Sequence, residues 1–117
     1  MEYMLLIYHS EADSKKMSPA EGQQIFQEYH IFTEDLTKSG NNKGGAPLEQ
    51  TTTATTVRVR NGKTVVTDGP FAETKEQLGG YYIVEAKDLD EAISIAARIP
   101  GAKHGSIEVR PIRKIDM

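Results

Sequence analysis

The residues best suited to chemistry gather in one stretch, "TDGPFAETKEQLGGYY", Thr67 to Tyr82. Asp68 and Glu73 are carboxylates close in sequence, candidates for the proton-transfer groups that acid/base catalysis must hold within hydrogen-bond reach of a substrate. Lys75 and, far along the chain, Arg110 are cations able to hold an anionic group. Gly69, Pro70 and Phe71 shape the turn beside Asp68, while Tyr81 and Tyr82 offer aromatic walls. His9 ends the first apolar run and can reach the mouth of a cleft there; His30 and His104 fall on a helix and before the last strand. The same stretch also reads as a well-made connection. Asp68 can accept from backbone N–H groups ahead of it, with Gly69 and Pro70 fixing the reversal. Pro70 can open a helical turn, Phe71 and Leu78 can plug the end of the core, and Gly79-Gly80 suits a close approach or a bulge. Arg110 has a plain reading too, an ion pair with Glu108 or Glu85. Both accounts of the stretch stand at this point.

Composition narrows the classes. At 117 residues the chain suits a single domain with one core. Net charge is −3 and the basic residues are scattered, which argues against nucleic-acid binding, since that needs a concentrated positive face. There is no cysteine, so disulfides and thiolate metal sites are excluded. No His/Asp/Glu set has metal-ligand spacing, and no phosphate-cradling glycine loop or nucleophile signature suggests a cofactor. The opening "MEYMLLIYHS" lacks the basic start of a secretory signal and the length of a membrane span. A cytoplasmic location without membrane attachment is the expectation.

The elements that must position the candidate residues follow from periodicity. "YMLLIY" (Tyr3 to Tyr8) is apolar at successive positions, a strand buried on both faces. "SPAE" starts a helix: Ser18 caps, Pro19 takes the first helical position and Glu21 completes a capping box. Ile25, Tyr29, Phe32 and Leu36 form its apolar stripe, so the first helix spans about residues 19 to 38. A short strand is expected near Ala46 to Glu49. Asn61-Gly62 between β-branched runs predicts a hairpin in which Arg60 faces Lys63, Val59 faces Thr64, Val57 faces Val66 and Thr55 faces Asp68. That register sets Asp68 on the valine side. "GGYYIVEA" is a second strand apolar on both faces. Asp88 caps a second helix with Ala92, Ile95, Ala96 and Ile99 as its stripe, stopped at Pro100-Gly101. "SIEVRPI" closes the domain as an edge strand.

The order predicts a ferredoxin-like α+β sandwich, βαββαβ with an inserted β-hairpin, the two most apolar strands lying centrally. Two helices cover only one face of such a sheet. The other face would expose large apolar side chains, which a monomer rarely tolerates, so a homodimer through the open sheet face is expected.

With these elements in place, "TDGPFAETKEQLGGYYIVEAKDLDEAISIAARIPGAKHGSIEVRPI" and the upstream "TATTVR" resemble the DGPF-domain branch of the YCII-related family. That family belongs to the dimeric α/β-barrel superfamily of ferredoxin-like domains. The likeness spans the chain and is densest at Asp68-Gly69-Pro70-Phe71, at Glu73 to Gly80 and at "EVRPI". It implies the dimeric α/β barrel. Some more distant members are regarded as small-molecule enzymes with a His-Asp pair; this implies Asp68 as the acid of the cleft, and the motif marks no histidine here. DGPF-type proteins occur beside, or fused to, extracytoplasmic-function sigma factors, which implies a second role, non-catalytic partnership with such a factor through the surface. The basic cluster Arg58, Arg60 and Lys63 at the hairpin tip is either a solvated face or a dock for an acidic partner.

Overall fold

Alternation along one strand fixes the architecture. In the computed structural model, which describes residues 1–116, strand β1 (Glu2–His9) buries Tyr3, Leu5 and Ile7 and leaves Met4, Leu6 and Tyr8 half-buried on the opposite face. It is followed by a short helix α1 (Glu11–Ser14), helix α2 (Pro19–Lys38), strand β2 (Asn42–Pro47), the hairpin strands β3 (Thr55–Arg60) and β4 (Lys63–Asp68), strand β5 (Gln77–Glu85), helix α3 (Leu89–Ala97) and strand β6 (Ser106–Pro111). The main sheet has the order β2-β5-β1-β6, every neighbouring pair antiparallel. β1 and β5 are therefore central, as their two-sided apolar sequences require. This is the ferredoxin-like arrangement, with β3 and β4 paired as a separate two-stranded sheet.

The helices form where their caps say. The Ser18 hydroxyl accepts from the Glu21 amide at 3.2 Å and the Glu21 carboxylate accepts from the Ser18 amide at 3.2 Å. Asp88 caps α3 by accepting from the Glu91 amide at 2.9 Å. α2 buries Phe32 and Leu36, and α3 buries Ala92, Ile95 and Ala96, against Tyr3, Leu5, Ile7 and Val84 of the sheet. Full burial of side chains such as Leu36 or Val84 contributes about 1.5–3 kcal/mol each. α3 ends at Ala97, short of the proline, yet Ile99 still reaches the core and is 1% exposed.

Three details differ from the sequence reading. What reads as a polar connection contains α1, capped by the Ser10 hydroxyl accepting from the Asp13 amide at 3.2 Å. β2 runs earlier than expected, through "NKGGAP". That segment has none of the β-branched residues that favour strands; its ladder with β5 imposes the conformation. Residues 70–76 run as irregular bends rather than a helical turn. The hairpin register is the expected one at all four positions named above, and Asn61 and Gly62 take φ of 53° and 75°, a primed turn.

Candidate functional site

At the end of β1 the sheet makes room for a histidine. Ile7 pairs with Gly80 and Tyr8 with Leu78, so Gly79 is the extra residue of a bulge. The His9 imidazole lies directly over Gly79; a β-carbon there would run into the ring. The Gly-Gly pair thus serves both as bulge and as close approach, and it seats His9, half-buried, at the sheet end.

Around His9 a polar frame ties three segments together. The Glu11 carboxylate accepts from the Thr51 amide at 2.9 Å and from the Thr51 hydroxyl at 2.6 Å. The Glu11 amide donates to Oε1 of Gln77 at 2.9 Å, and Nε2 of Gln77 donates to the Thr74 carbonyl at 2.5 Å. Ser106 donates to the Glu76 carboxylate at 2.9 Å. The second half of the acidic loop is thereby fixed to α1 and β6. Ser10, Asp13, Lys75 and Glu76 line an open depression beside it. Sequence reading missed Glu11, Thr51 and Gln77; the Ser10-to-Asp13 spacing is the one local signal, because it marks a helix start that aims Glu11 back at the sheet.

The frame leads on to Asp68. Ala54, close after Thr51, accepts from the Gly69 amide at 2.7 Å, and the Thr56 hydroxyl donates to the Gly69 carbonyl at 2.7 Å. Gly69 sits at φ 94°, which glycine adopts without strain. Gly69, rather than an Asx turn by Asp68, holds the reversal among the described residues. Asp68 is opposite Thr55 at the foot of the hairpin, on the valine side as expected, but that side faces water and Asp68 is exposed. Phe71 is 79% exposed and does not plug the core. Pro70, Glu73 and Lys75 are exposed as well, and Leu78 is half-buried.

The remaining candidates separate. Tyr81 shares the open sheet face with Leu6, its partner in the β1 ladder. Tyr82 points the other way: its hydroxyl lies 2.7 Å from that of Thr33 on α2, and its ring meets Phe32 edge-on at 5.2 Å. It belongs to the core under the helices, because adjacent strand residues face opposite sides. Arg110 pairs with Glu108 at 3.4 Å, the plain reading of that residue. His30 contacts Glu34 at 2.8 Å on the surface of α2, and His104 is exposed. Among the described residues no three His, Asp or Glu side chains group as metal ligands, and no helix is long and apolar enough to cross a membrane.

Residues 1–116 match the YCII-related domain. The chain belongs to the YCII-related family. An uncharacterised protein of Rhizobium meliloti (strain 1021) is 38% identical to this YCII-related chain over 114 residues, 96% of the chain and 92% of that protein. The 5-chloro-2-hydroxyhydroquinone dehydrochlorinase of Burkholderia phenoliruptrix AC1100, solved in complex with 2,5-dihydroxybenzoquinone, is similar in fold. Its TM-score is 0.52 at 16% identity, over 97% of this chain and 94% of that one. At that identity the likeness carries the fold.

One consequence of the frame is a pH dependence. The Thr51 hydroxyl, the Thr51 amide and the nearby charges of His9 and Lys15 hold the Glu11 carboxyl below its ordinary range. A depressed carboxyl stabilises the folded state above its unfolded value, about 4.3, and that contribution is lost as pH falls through the lower folded value. Exchange of the Thr51 amide is therefore expected to accelerate on acidification below about pH 4.3 relative to amides of the central strands. In Glu11→Gln it should be fast already at neutral pH and no longer respond to acid. An unchanged Thr51 amide in the variant would refute the clamp.

Proposed function

We propose that this chain acts in the cytoplasm as a homodimer that binds a small molecule in a cleft beside the Asp68–Phe71 turn, with Asp68 and Glu73 as its acid/base groups. The observation that carries this is the amount of surface. One subunit exposes 8669 Å², whereas a monomeric protein of this mass exposes about 6,300 Å². A standard complex removes about 800 Å² per partner, so a second copy fits within the excess. Met4, Leu6, Tyr8, Tyr81 and Ile83 supply an open apolar face for it. A second subunit over that face gives Asp68 and Phe71 the opposite wall they lack, and excludes water from the carboxylate, the setting in which acid/base groups work. His9, Tyr81 and Lys75 are the ligand-facing groups from the sheet end; Gly69 and Pro70 shape the turn. A protein of like fold that acts on a small molecule, the dehydrochlorinase, is in keeping with the reading.

A thermal-shift screen of metabolites on wild type and Asp68→Asn tests it. A ligand at a hundred times its Kd stabilises by about 2.7 kcal/mol, roughly 10 °C for a chain of this size. The expected result is a ligand that raises the wild-type Tm by that order and leaves Asp68→Asn unmoved. A screen in which every active ligand shifts both proteins equally counts against the site.

A second reading, non-catalytic partnership with an extracytoplasmic-function sigma factor, has one observation in its favour, the basic face of the hairpin tip. Capture of such a factor by wild type, and its loss in Arg60→Glu/Lys63→Glu, is the corresponding result.

A further inference from the structure

The hairpin's main contacts are between its own two strands. A lone two-stranded hairpin is marginally stable in water. Its register sets Val57 opposite Val66 and Val59 opposite Thr64, so one face is a continuous stripe. Val57, Val59 and Val66 are 60%, 62% and 61% exposed. The other face carries Arg58, Arg60 and Lys63, with no acid before Asp68 at the foot.

The dimensions agree with an arm that stands off the body. The radius of gyration is 16.3 Å, against about 13 Å for a compact chain of this length. The open sheet face does not explain the excess surface by itself, because Met4, Leu6, Tyr8, Tyr81 and Ile83 are already half-buried within the subunit. Val57, Val59 and Val66 of the arm and Phe71 just beyond its root are among the apolar side chains most open to water, alongside Phe26 and Ile31 on α2 and Ile115 near the C-terminus. Whatever covers this protein must cover the arm.

We propose that the arm crosses to a second copy of the chain and lays its valine stripe on that copy's open sheet face. This rests on the homodimer reading and adds which surfaces meet. A second copy is the occupant because each chain carries both halves of the match, stripe and face, so a twofold operation satisfies both at once. Charge agrees. The chain as a whole is −3 while the arm brings only cations before its foot, so the body is more negative than the whole. Glu2, Glu85 and Glu108 lie on the receiving face, Glu85 paired with the N-terminal amine and Glu108 with Arg110, so the difference in net charge between arm and body, more than the rim, supplies the complementarity. Exchange also carries the root of the arm, Asp68 and Phe71, toward the other copy's Tyr81. Each cleft then takes residues from two chains.

The absence of cysteine makes this directly testable, since an introduced thiol reports a single contact. Chains with Val66→Cys and chains with Leu6→Cys, mixed and mildly oxidised, are expected to form a disulfide predominantly between unlike chains. Val57→Lys/Val66→Lys should associate about a hundredfold more weakly than wild type, with an unchanged far-UV spectrum. Disulfides confined to pairs of Val66→Cys chains, or a double-lysine variant as dimeric as wild type, overturn arm exchange and leave the homodimer standing. A wild type that scatters light as a monomer at micromolar concentration overturns both.

Discussion

Leu5→Ala is expected to cost about 2–5 kcal/mol and to lower the melting temperature by about 8–20 °C, at roughly 4 °C per kcal/mol. Leu5 is 0% exposed and lies mid-sheet, between Tyr82 of β5 and Val109 of β6. Truncation there leaves a cavity that rigid neighbours on both sides cannot fill. Leu6→Ala, one residue on, is expected to behave differently. Its side chain lies on the open face, across from Tyr81 and Glu108, where a lone subunit gains little from it. A dimer through that face loses association instead. Melting over a dilution series separates the two: the Leu5→Ala deficit is constant with concentration, whereas the Leu6→Ala deficit grows as the protein is concentrated into the range where wild type dimerises. Parallel, concentration-independent losses would contradict any role of this face in pairing.

That contrast also marks what the sequence makes readable. The core is legible because burial imposes a period: Ile25, Tyr29, Phe32 and Leu36 on α2 and Ala92, Ile95, Ala96 and Ile99 near α3 all turn inward, and all but Ile25 and Tyr29 are buried. The hairpin is legible because Asn61-Gly62 demands one turn type, which then dictates every cross-strand pair. The site is less legible, for two physical reasons. Adjacent tyrosines in a strand look equivalent in sequence, yet Tyr81 and Tyr82 belong to opposite faces, and only their pairing with Leu6 and Leu5 of β1 sets which is which. Phe71 beside a turn looks like a core plug, but the turn stands at the foot of an arm that has left the body. Apolar residues that one subunit leaves exposed cannot be told by type from residues of its core. The Ser10-to-Asp13 spacing marks a helix start at Glu11, but its partner Thr51 is brought to it by tertiary folding, which no local spacing announces.

Tyr29→Phe is expected to remove about 1–2 kcal/mol at neutral pH. The Tyr29 hydroxyl, on α2, accepts from the Gly101 amide at 3.1 Å where the second helix region turns back to β6. Phenylalanine leaves that partly buried N–H without its acceptor while keeping the ring. Tyr82→Phe should cost less, because Thr33 can redirect its hydroxyl to a backbone carbonyl one helical turn back. Alkali provides a signature that packing loss cannot imitate. Burial pushes the Tyr29 phenol above its ordinary range, outweighing the Gly101 amide that favours the phenolate. A raised value in the folded state means that the stabilising neutral form is complete below the unfolded value, about 10, and is lost as pH rises through the folded value. Wild type therefore loses stability above about pH 10 by a route closed to Tyr29→Phe, and the gap between them should narrow there. A gap that stays constant from neutral pH into alkali would mean that the phenol is solvated, and that the contact between α2 and Gly101 does not hold this edge of the core.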